Sequence, residues 1–134
     1  MLDDAEIAVI GFGTAGRVAS SAIRAAREEG IKAGLFRPIT LAPFPKEELE
    51  KISKRVKRIL VVEMNSGMML DDVTNIVRDR VPVEFYGRMG GITPLPNEIL
   101  CEIRRVSQNP APEHHQIRHA WLDRLEAMVK GEIA

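Results

Sequence analysis

A glycine-rich turn near the start of the chain has the spacing of a phosphate-binding loop. Gly11, Gly13 and Gly16 match G-x-G-x-x-G, between an apolar run and a helical pattern that begins at Thr14. Glycines at this spacing let the N–H groups of a helix start approach an anion. The pattern therefore allows a nucleotide or anion site at Gly11, Gly13, Thr14 and Gly16. The same glycines also suit a tight turn that lets a helix pack closely on a strand.

The residue at the end of the second predicted strand does not match a typical nicotinamide site. Such a site places an acidic residue there to hold the ribose hydroxyls, whereas this chain has Arg37. A guanidinium suits a 2′-phosphate, so this position leaves NADP open. A chain of 134 residues is nevertheless too short for a complete dinucleotide-binding domain and a substrate domain.

Other reactive side chains form no recognisable site. Cys101 is the single cysteine, so the chain has neither an internal disulfide nor the four ligands of an iron–sulfur cluster. His115 and His119 are spaced to share a helix face, but two histidines make only half of a zinc site, and we interpret them as part of a solvated helix. We therefore predict no catalytic residue and no metal site.

Composition and charge restrict the function classes. The chain is 45% hydrophobic and 28% charged, which is typical of one soluble domain. Its 19 basic and 19 acidic residues give no net charge to attract nucleic acid or an anionic membrane. The longest aliphatic run, Ile59 to Val62, is far shorter than the roughly 20 residues that span a bilayer. With an acidic start in place of a basic signal segment, we expect a cytoplasmic protein.

Apolar runs alternate with helical patterns along most of the chain. The predicted strands are Ile7–Ile10, Ala33–Phe36, Ile59–Val62 and Pro82–Phe85. Strands separated by helices favour parallel pairing with right-handed crossovers. We predict an α/β fold over residues 1–106, with an open, doubly wound, mostly parallel sheet of four or five strands and helices on both faces. Residues 107–134 are predicted to form a proline-interrupted linker and an amphipathic helix.

The loops that follow the predicted strands are unusually apolar. They contain Phe12, then Leu41, Pro43, Phe44 and Pro45, then Met64, Met68 and Met69, then Tyr86 and Met89. The carboxyl ends of parallel strands meet at one edge of a sheet, and α/β proteins make their functional contacts there. Exposed methionine adapts to irregular partner surfaces, so we expect another polypeptide to cover this edge. The alternative, in which these residues fold back onto the domain's own core, stays open.

Three blocks of sequence resemble a known family. The blocks are residues 30–45 (GIKAGLFRPITLAPFP), 61–65 (VVEMN) and 84–91 (EFYGRMGG). In this order and spacing they resemble the C-terminal domain of the alpha subunit of 2-oxoacid:ferredoxin oxidoreductases, nearest to the 2-oxoglutarate and 2-ketoisovalerate types. The resemblance extends from about Glu6 to Ile103.

The resemblance implies a transketolase C-terminal-like domain within a longer subunit. In the family, a pyrimidine-binding domain precedes this one, and thiamine diphosphate lies between it and a beta subunit that carries a Gly-Asp-Gly motif, absent from this sequence. Thiamine diphosphate, Mg²⁺ and iron–sulfur clusters are therefore expected on other domains or subunits. No cofactor and no catalytic residue is carried over to this domain.

The resulting hypothesis is a domain that docks and orients subunits of an enzyme that oxidatively decarboxylates a 2-oxoacid with coenzyme A. The expected partners are the other subunits, with ferredoxin contacted indirectly, and self-association into a homodimer stays open. The predicted interface residues are Arg37, Phe44, Met64, Asn65, Met68, Tyr86, Arg88 and Met89. The alternative is a small nucleotide- or anion-binding module that uses the glycine-rich turn.

Overall fold

A computed structural model describes residues 4–38, 45–63, 68–77, 80–87 and 95–108 of the chain. Strands and helices alternate strictly in these ranges. The elements are β1 Ile7–Gly11, α1 Thr14–Glu28, β2 Ala33–Phe36, α2 Lys46–Ser53, β3 Arg58–Glu63, α3 Met68–Val77, β4 Val83–Gly87 and α4 Pro96–Gln108.

The four described strands form one parallel sheet in the order β2-β1-β3-β4. Ile10 of β1 lies between Phe36 of β2 and Val61 of β3, and Val61 in turn pairs with Phe85 of β4. Every residue of β1 and β4 is buried. Burial on both faces explains why the strands are mainly apolar, and it means that the exceptions Glu63 and Glu84 require hydrogen-bond donors within the fold.

Helices cover both faces of the sheet. Helices α1 and α4 pack against each other, as do α2 and α3. The chain leaves β1 for β2 on one side and later reaches β3 on the other side, so β1 and β3 flank the point where the strand order reverses. In open α/β sheets, the crevice at such a switch point lies at the carboxyl ends of the strands.

Helix α1 presents small residues to its neighbours and ends at a glycine. Its buried positions are Ala15, Gly16, Ala19, Ala22, Ile23 and Ala26. At the other end, Gly30 has a φ of 85°, and the N–H groups of Gly30 and Ile31 donate to the carbonyls of Arg27 and Ala26. This pattern is a Schellman motif, in which glycine accepts the left-handed conformation without strain.

The predicted fold class is confirmed, and the four predicted strands are present. The fourth strand is displaced relative to its prediction, since it begins at Val83 and continues through Tyr86 to Gly87. A fifth strand and the predicted helix after Gln108 stay predictions, because residues 109–134 lie outside the described residues. None of the helices in the described ranges combines the length and the apolar character needed to cross a bilayer.

Candidate functional site

The large apolar side chains that are exposed in the described ranges lie at the carboxyl edge of the sheet. Phe12, directly after β1, is 39% exposed, and Leu95, directly before α4, is 60% exposed. They precede α1 and α4, the two helices that pack side by side. We call the residues at this edge that leave the strands or enter the helices the carboxyl rim. Its described part thus offers apolar surface on the α1–α4 side.

The glycine-rich turn is explained by close packing at two of its three glycines. A Cβ on Gly11 would lie 2.8 Å from the Gly16 Cα, and a Cβ on Gly16 would lie 2.7 Å from the Gly11 carbonyl oxygen. Real Cβ atoms do not approach backbone this closely, so only glycine lets α1 begin directly against β1. Gly13 has φ 60° and ψ −128°, a conformation that favours glycine for backbone reasons. The structure therefore favours the packing interpretation of the G-x-G-x-x-G pattern.

Arg37 follows β2 and extends over the glycine-rich turn. A Cβ on Gly16 would lie 3.0 Å from Cγ and 3.1 Å from Cδ of Arg37, so the aliphatic stem of the arginine covers Gly16. The Arg37 guanidinium donates to the Gly13 carbonyl oxygen at 3.3 Å and is exposed. Thr14, the other polar residue of the predicted anion site, is also exposed at the start of α1. The structure thus brings Arg37 together with the turn that the sequence singled out.

Glu63 connects the end of β3 to the start of α3. Its carboxylate is 6% exposed and accepts hydrogen bonds from the backbone N–H groups of Met69 at 2.7 Å and Leu70 at 3.0 Å. A carboxylate at this place accepts hydrogen bonds from helix N–H groups that have no partner within the helix. Its negative charge also interacts favourably with the positive end of the helix dipole. Glu63 therefore fixes where α3 begins on the carboxyl rim.

Two residues that the sequence placed in apolar loops belong to the core. Met69 lies in α3 and is 2% exposed, and Tyr86 lies in β4 and is completely buried. The predicted loop positions of Met69 and Tyr86 are therefore wrong, because α3 begins at Met68 and β4 continues to Gly87. The Tyr86 hydroxyl donates to the carboxylate of Glu98, in the first turn of α4, at 2.6 Å. Since Tyr86 is buried, a partner would first meet the residues that cover it. A contact between Tyr86 and a partner stays a prediction.

Most of the predicted interface cannot be compared with the structure. Met68 begins α3, and its side chain lies outside the described part of the chain. The others lie outside the described residues altogether: Phe44, Met64, Asn65, Arg88 and Met89. Their contact with a partner therefore stays a prediction.

A buried charge network holds the opposite, amino edge of the sheet. Glu84 of β4 is 1% exposed and accepts hydrogen bonds from Arg58 at 2.9 Å and from Arg105 at 2.6 Å. Arg58 also donates to the Val106 carbonyl at 3.0 Å, and Arg105 reaches Glu102. Burial alone lowers the pKa of Arg105, but Glu102 and Glu84 outweigh it and raise that pKa above its usual value. The network ties α4 to β3 and β4.

The structural roles of Glu63 and Glu84 were not predicted from the sequence. Each is an acidic residue inside or at the end of an apolar run, and its partners lie far along the chain or on backbone atoms. The signal that would have found them is the acid itself, because a carboxylate in a strand covered on both faces requires hydrogen-bond donors.

No group of three or more His, Cys, Asp or Glu side chains within the described ranges is arranged to hold a metal ion. Cys101 is half-buried in α4. On the carboxyl rim, the described ranges place two exposed apolar side chains, Phe12 and Leu95, and the exposed guanidinium of Arg37.

Comparison with known proteins gives the same family as the three sequence blocks. Residues 5–99 match the model of the pyruvate:ferredoxin oxidoreductase core domain II. The chain is 42% identical over 107 residues to the ketoisovalerate oxidoreductase subunit VorB of Methanothermobacter thermautotrophicus. This alignment covers 80% of this chain and 30% of that subunit. The chain therefore spans less than a third of the length of this curated relative.

Two solved structures share the fold. One is the 2-oxoglutarate:ferredoxin oxidoreductase from Magnetococcus marinus with 2-oxoglutarate, coenzyme A and succinyl-CoA bound, with a TM-score of 0.64 at 22% identity over 78% of this chain and 18% of that one. The other is an inactive beta4 tetramer of a split-gene transketolase, with a TM-score of 0.67 at 14% identity over 77% of this chain and 39% of that one. Both confirm the predicted transketolase C-terminal-like architecture. Since the family model covers most of the described sheet and its helices, the chain belongs to the family of the pyruvate:ferredoxin oxidoreductase core domain II.

Proposed function

We propose that this chain is a docking domain of a 2-oxoacid:ferredoxin oxidoreductase and positions other domains or subunits of that enzyme. The observation that carries the proposal is the exposure of Phe12 and Leu95 at the carboxyl rim. In the described ranges, these are the large hydrophobic side chains that the domain's own core leaves uncovered. Large apolar side chains that stay exposed at the same edge of a domain suit a surface that a partner covers.

The construction of the domain suits a positioning role. The amino edge is held by the Glu84 network, and the start of α3 is fixed by Glu63, so the carboxyl rim is supported by a rigid frame. A multi-domain enzyme gains rate when its reacting groups are held in the correct relative position. A frame of this kind contributes to that position without taking part in the reaction itself.

An iron–sulfur cluster does not fit the residues of this chain. A sequence with one cysteine cannot provide the four ligands of an iron–sulfur cluster. The thiamine cofactor, which supplies the decarboxylation chemistry when bound, would be held by parts of the enzyme outside this sequence. The 2-oxoacid would be chosen there as well, in a cytoplasmic enzyme that uses coenzyme A and passes electrons to ferredoxin.

The glycine-rich turn does not favour a nucleotide-binding module as a second candidate. Packing against β1 accounts for Gly11 and Gly16, and backbone conformation accounts for Gly13. Titration calorimetry of the chain with NADP, NAD, coenzyme A and thiamine diphosphate provides the check. Micromolar binding that is abolished by Gly13→Val would favour the module over docking.

The docking role is tested by placing a charge on the carboxyl rim. Phe12→Asp and Leu95→Asp should each weaken association of the chain with the remaining subunits, measured by sedimentation velocity, because a carboxylate must lose its hydration when a partner covers it. The matched control is Lys54→Asp, on an exposed residue after α2 at the amino edge. Assembly that both rim variants leave unchanged would contradict the proposal, as would equal loss in the control.

The predicted rim residues outside the described ranges are tested in the same assay. Phe44→Asp and Met64→Asp should weaken assembly if the apolar contact surface extends over the loops after β2 and β3. Wild-type association of both variants would restrict the interface to the α1–α4 side of the rim.

A further inference from the structure

We propose that Arg37 and Phe12 together bind a carboxylate side chain of a partner subunit, with an apolar partner residue beside it. This inference rests on the proposed docking function and specifies the chemistry of the contact. Both residues lie on the carboxyl rim, next to the strand β1 that borders the switch point of the sheet. Their juxtaposition follows from the glycine-rich turn, which carries Phe12 and supports Arg37.

Arg37 is held in place before any partner arrives. The aliphatic stem lies over Gly16, where a side chain would collide with it, and the guanidinium donates to the Gly13 carbonyl at 3.3 Å. Among the described residues, this long hydrogen bond to a neutral acceptor is the one that the guanidinium makes, and a guanidinium carries five N–H donors. A charged side chain with a restricted stem loses less conformational entropy on binding than a free one.

The charge of Arg37 is not neutralised within the described part of the chain. Arg58 and Arg105 share the carboxylate of Glu84, whereas Arg37 forms no ion pair with a described residue. The neighbouring first turn of α1 contains no acidic residue that would compete for it. The local charge therefore favours an anionic partner group, although the chain as a whole is neutral.

A carboxylate with an apolar neighbour is the group that fits this surface. The planar guanidinium forms paired, parallel hydrogen bonds with a carboxylate, and such bonds are stronger than neutral ones. Phe12 precedes Gly13, whose carbonyl accepts from Arg37, and at 39% exposure it provides apolar surface in the same turn. An aspartate or glutamate next to an apolar residue on another subunit would satisfy both, so we assign this patch to a protein partner and not to a small anion.

The test is a charge reversal, measured as the dissociation constant between the 134-residue chain and the other subunits. Arg37→Glu should weaken association by about tenfold or more, since it removes one partner of a charge pair and adds repulsion. Arg37→Lys should recover only part of the affinity, because an ammonium does not make the paired contact. The affinity of the wild type should also fall more steeply with salt than that of Arg37→Gln.

The matched control is Arg24→Glu, which makes the same charge change on an exposed arginine of α1 further from the glycine-rich turn. If Arg24→Glu weakens association as much as Arg37→Glu, the effect is one of overall charge and the inference is wrong. If an acidic residue of the partner changed to arginine restores binding of Arg37→Glu, the carboxylate contact is established. Tighter binding of inorganic phosphate than of acetate to the free chain, lost in Arg37→Gln, would overturn the carboxylate assignment.

Failure of this inference is distinguishable from failure of the docking function. If the wild-type chain does not associate with the other subunits, the docking function itself is refuted. If the wild type associates, Phe12→Asp weakens association and Arg37→Glu has no effect, only the carboxylate contact is refuted.

Discussion

Gly11 and Gly16 approach each other so closely that neither tolerates a side chain. A Cβ on Gly16 would lie 2.7 Å from the Gly11 carbonyl oxygen, and a Cβ on Gly11 would lie 2.8 Å from the Gly16 Cα. Both neighbours are backbone atoms, which cannot rotate away as a flexible side chain can. The pair therefore sets the distance between strand β1 and the first turn of α1.

Gly16→Ala should destabilise the domain, although alanine is the better helix former. Helix propensity favours alanine by about 1 kcal/mol, whereas overpacking against backbone costs about 1–3 kcal/mol. The net loss should appear as a lower midpoint of urea unfolding with an unchanged m-value. Ser21→Ala, at an exposed position of the same helix, is the control and should leave the midpoint nearly unchanged. A Gly16→Ala variant as stable as the wild type would refute the packing interpretation.

Glu84→Gln should lower the free energy of unfolding much more than Glu47→Gln does. The Glu84 side chain is 1% exposed, and its loss of charge would leave Arg58 and Arg105, at 18% and 22% exposure, without their shared counter-charge. Breaking a buried pair by removing one partner costs about 3–5 kcal/mol. Urea unfolding measures the loss, and Glu47→Gln on the exposed side of α2 is the control. Equal stability of the two variants would show that the network contributes little.

Glu63→Ala should release the start of α3. The N–H groups of Met69 and Leu70 would lose a buried acceptor, at a cost of about 1–3 kcal/mol. In Glu63→Ala, hydrogen exchange at these two amides should accelerate relative to wild type. The acceleration should be smaller at the amides near Val77, in the same helix. Glu63→Gln should lie between, because the amide group has one acceptor oxygen where the carboxylate has two. Unchanged exchange at Met69 in Glu63→Ala would contradict the capping role.

Arg104→Met should raise the pKa of Glu29. The Arg104 Nε donates to Glu29 Oε1 at 2.8 Å, and this hydrogen bond lowers the pKa of the Glu29 carboxyl below its ordinary value, against the opposing effect of burial. A carboxyl group whose folded-state pKa is lowered stabilises the fold above its unfolded pKa, roughly 4.3 for glutamate. That contribution is lost as the pH falls through the folded-state pKa.

The Glu29 titration is read by NMR of the glutamate carboxyl carbons in wild type and Arg104→Met. The control is Arg24→Met, which removes an exposed arginine of α1. The same Glu29 titration in Arg104→Met and wild type would show that the pair does not persist in solution.

The sequence predicted the elements well and the residues that stabilise them poorly. The runs Ile7–Ile10 and Ala33–Phe36 mark their strands because a strand buried on both faces must be apolar throughout. Apolar character alone does not mark where a strand ends, and β4 includes Tyr86, which the sequence predicts to lie in a loop. The strand order depends on contacts between distant segments, and no local pattern encodes it.

For the candidate site, the sequence identifies the glycine-rich turn but does not decide what the turn does. The spacing of Gly11, Gly13 and Gly16 is required both by a phosphate loop and by a close helix–strand contact, so spacing alone does not separate the two. The spacing also does not show the position of Arg37 over Gly16, which depends on the pairing of β1 with β2. Leu95 was not predicted, because one leucine before a helix carries no pattern.

The Glu84 network lies at one end of the strands and the apolar rim at the other. We therefore expect substitutions among Phe12, Arg37 and Leu95 to leave the interactions of Glu84 with Arg58 and Arg105 intact. A scaffold anchored in this way should tolerate change on the rim, so that the rim could be adapted to a different companion subunit on the same frame.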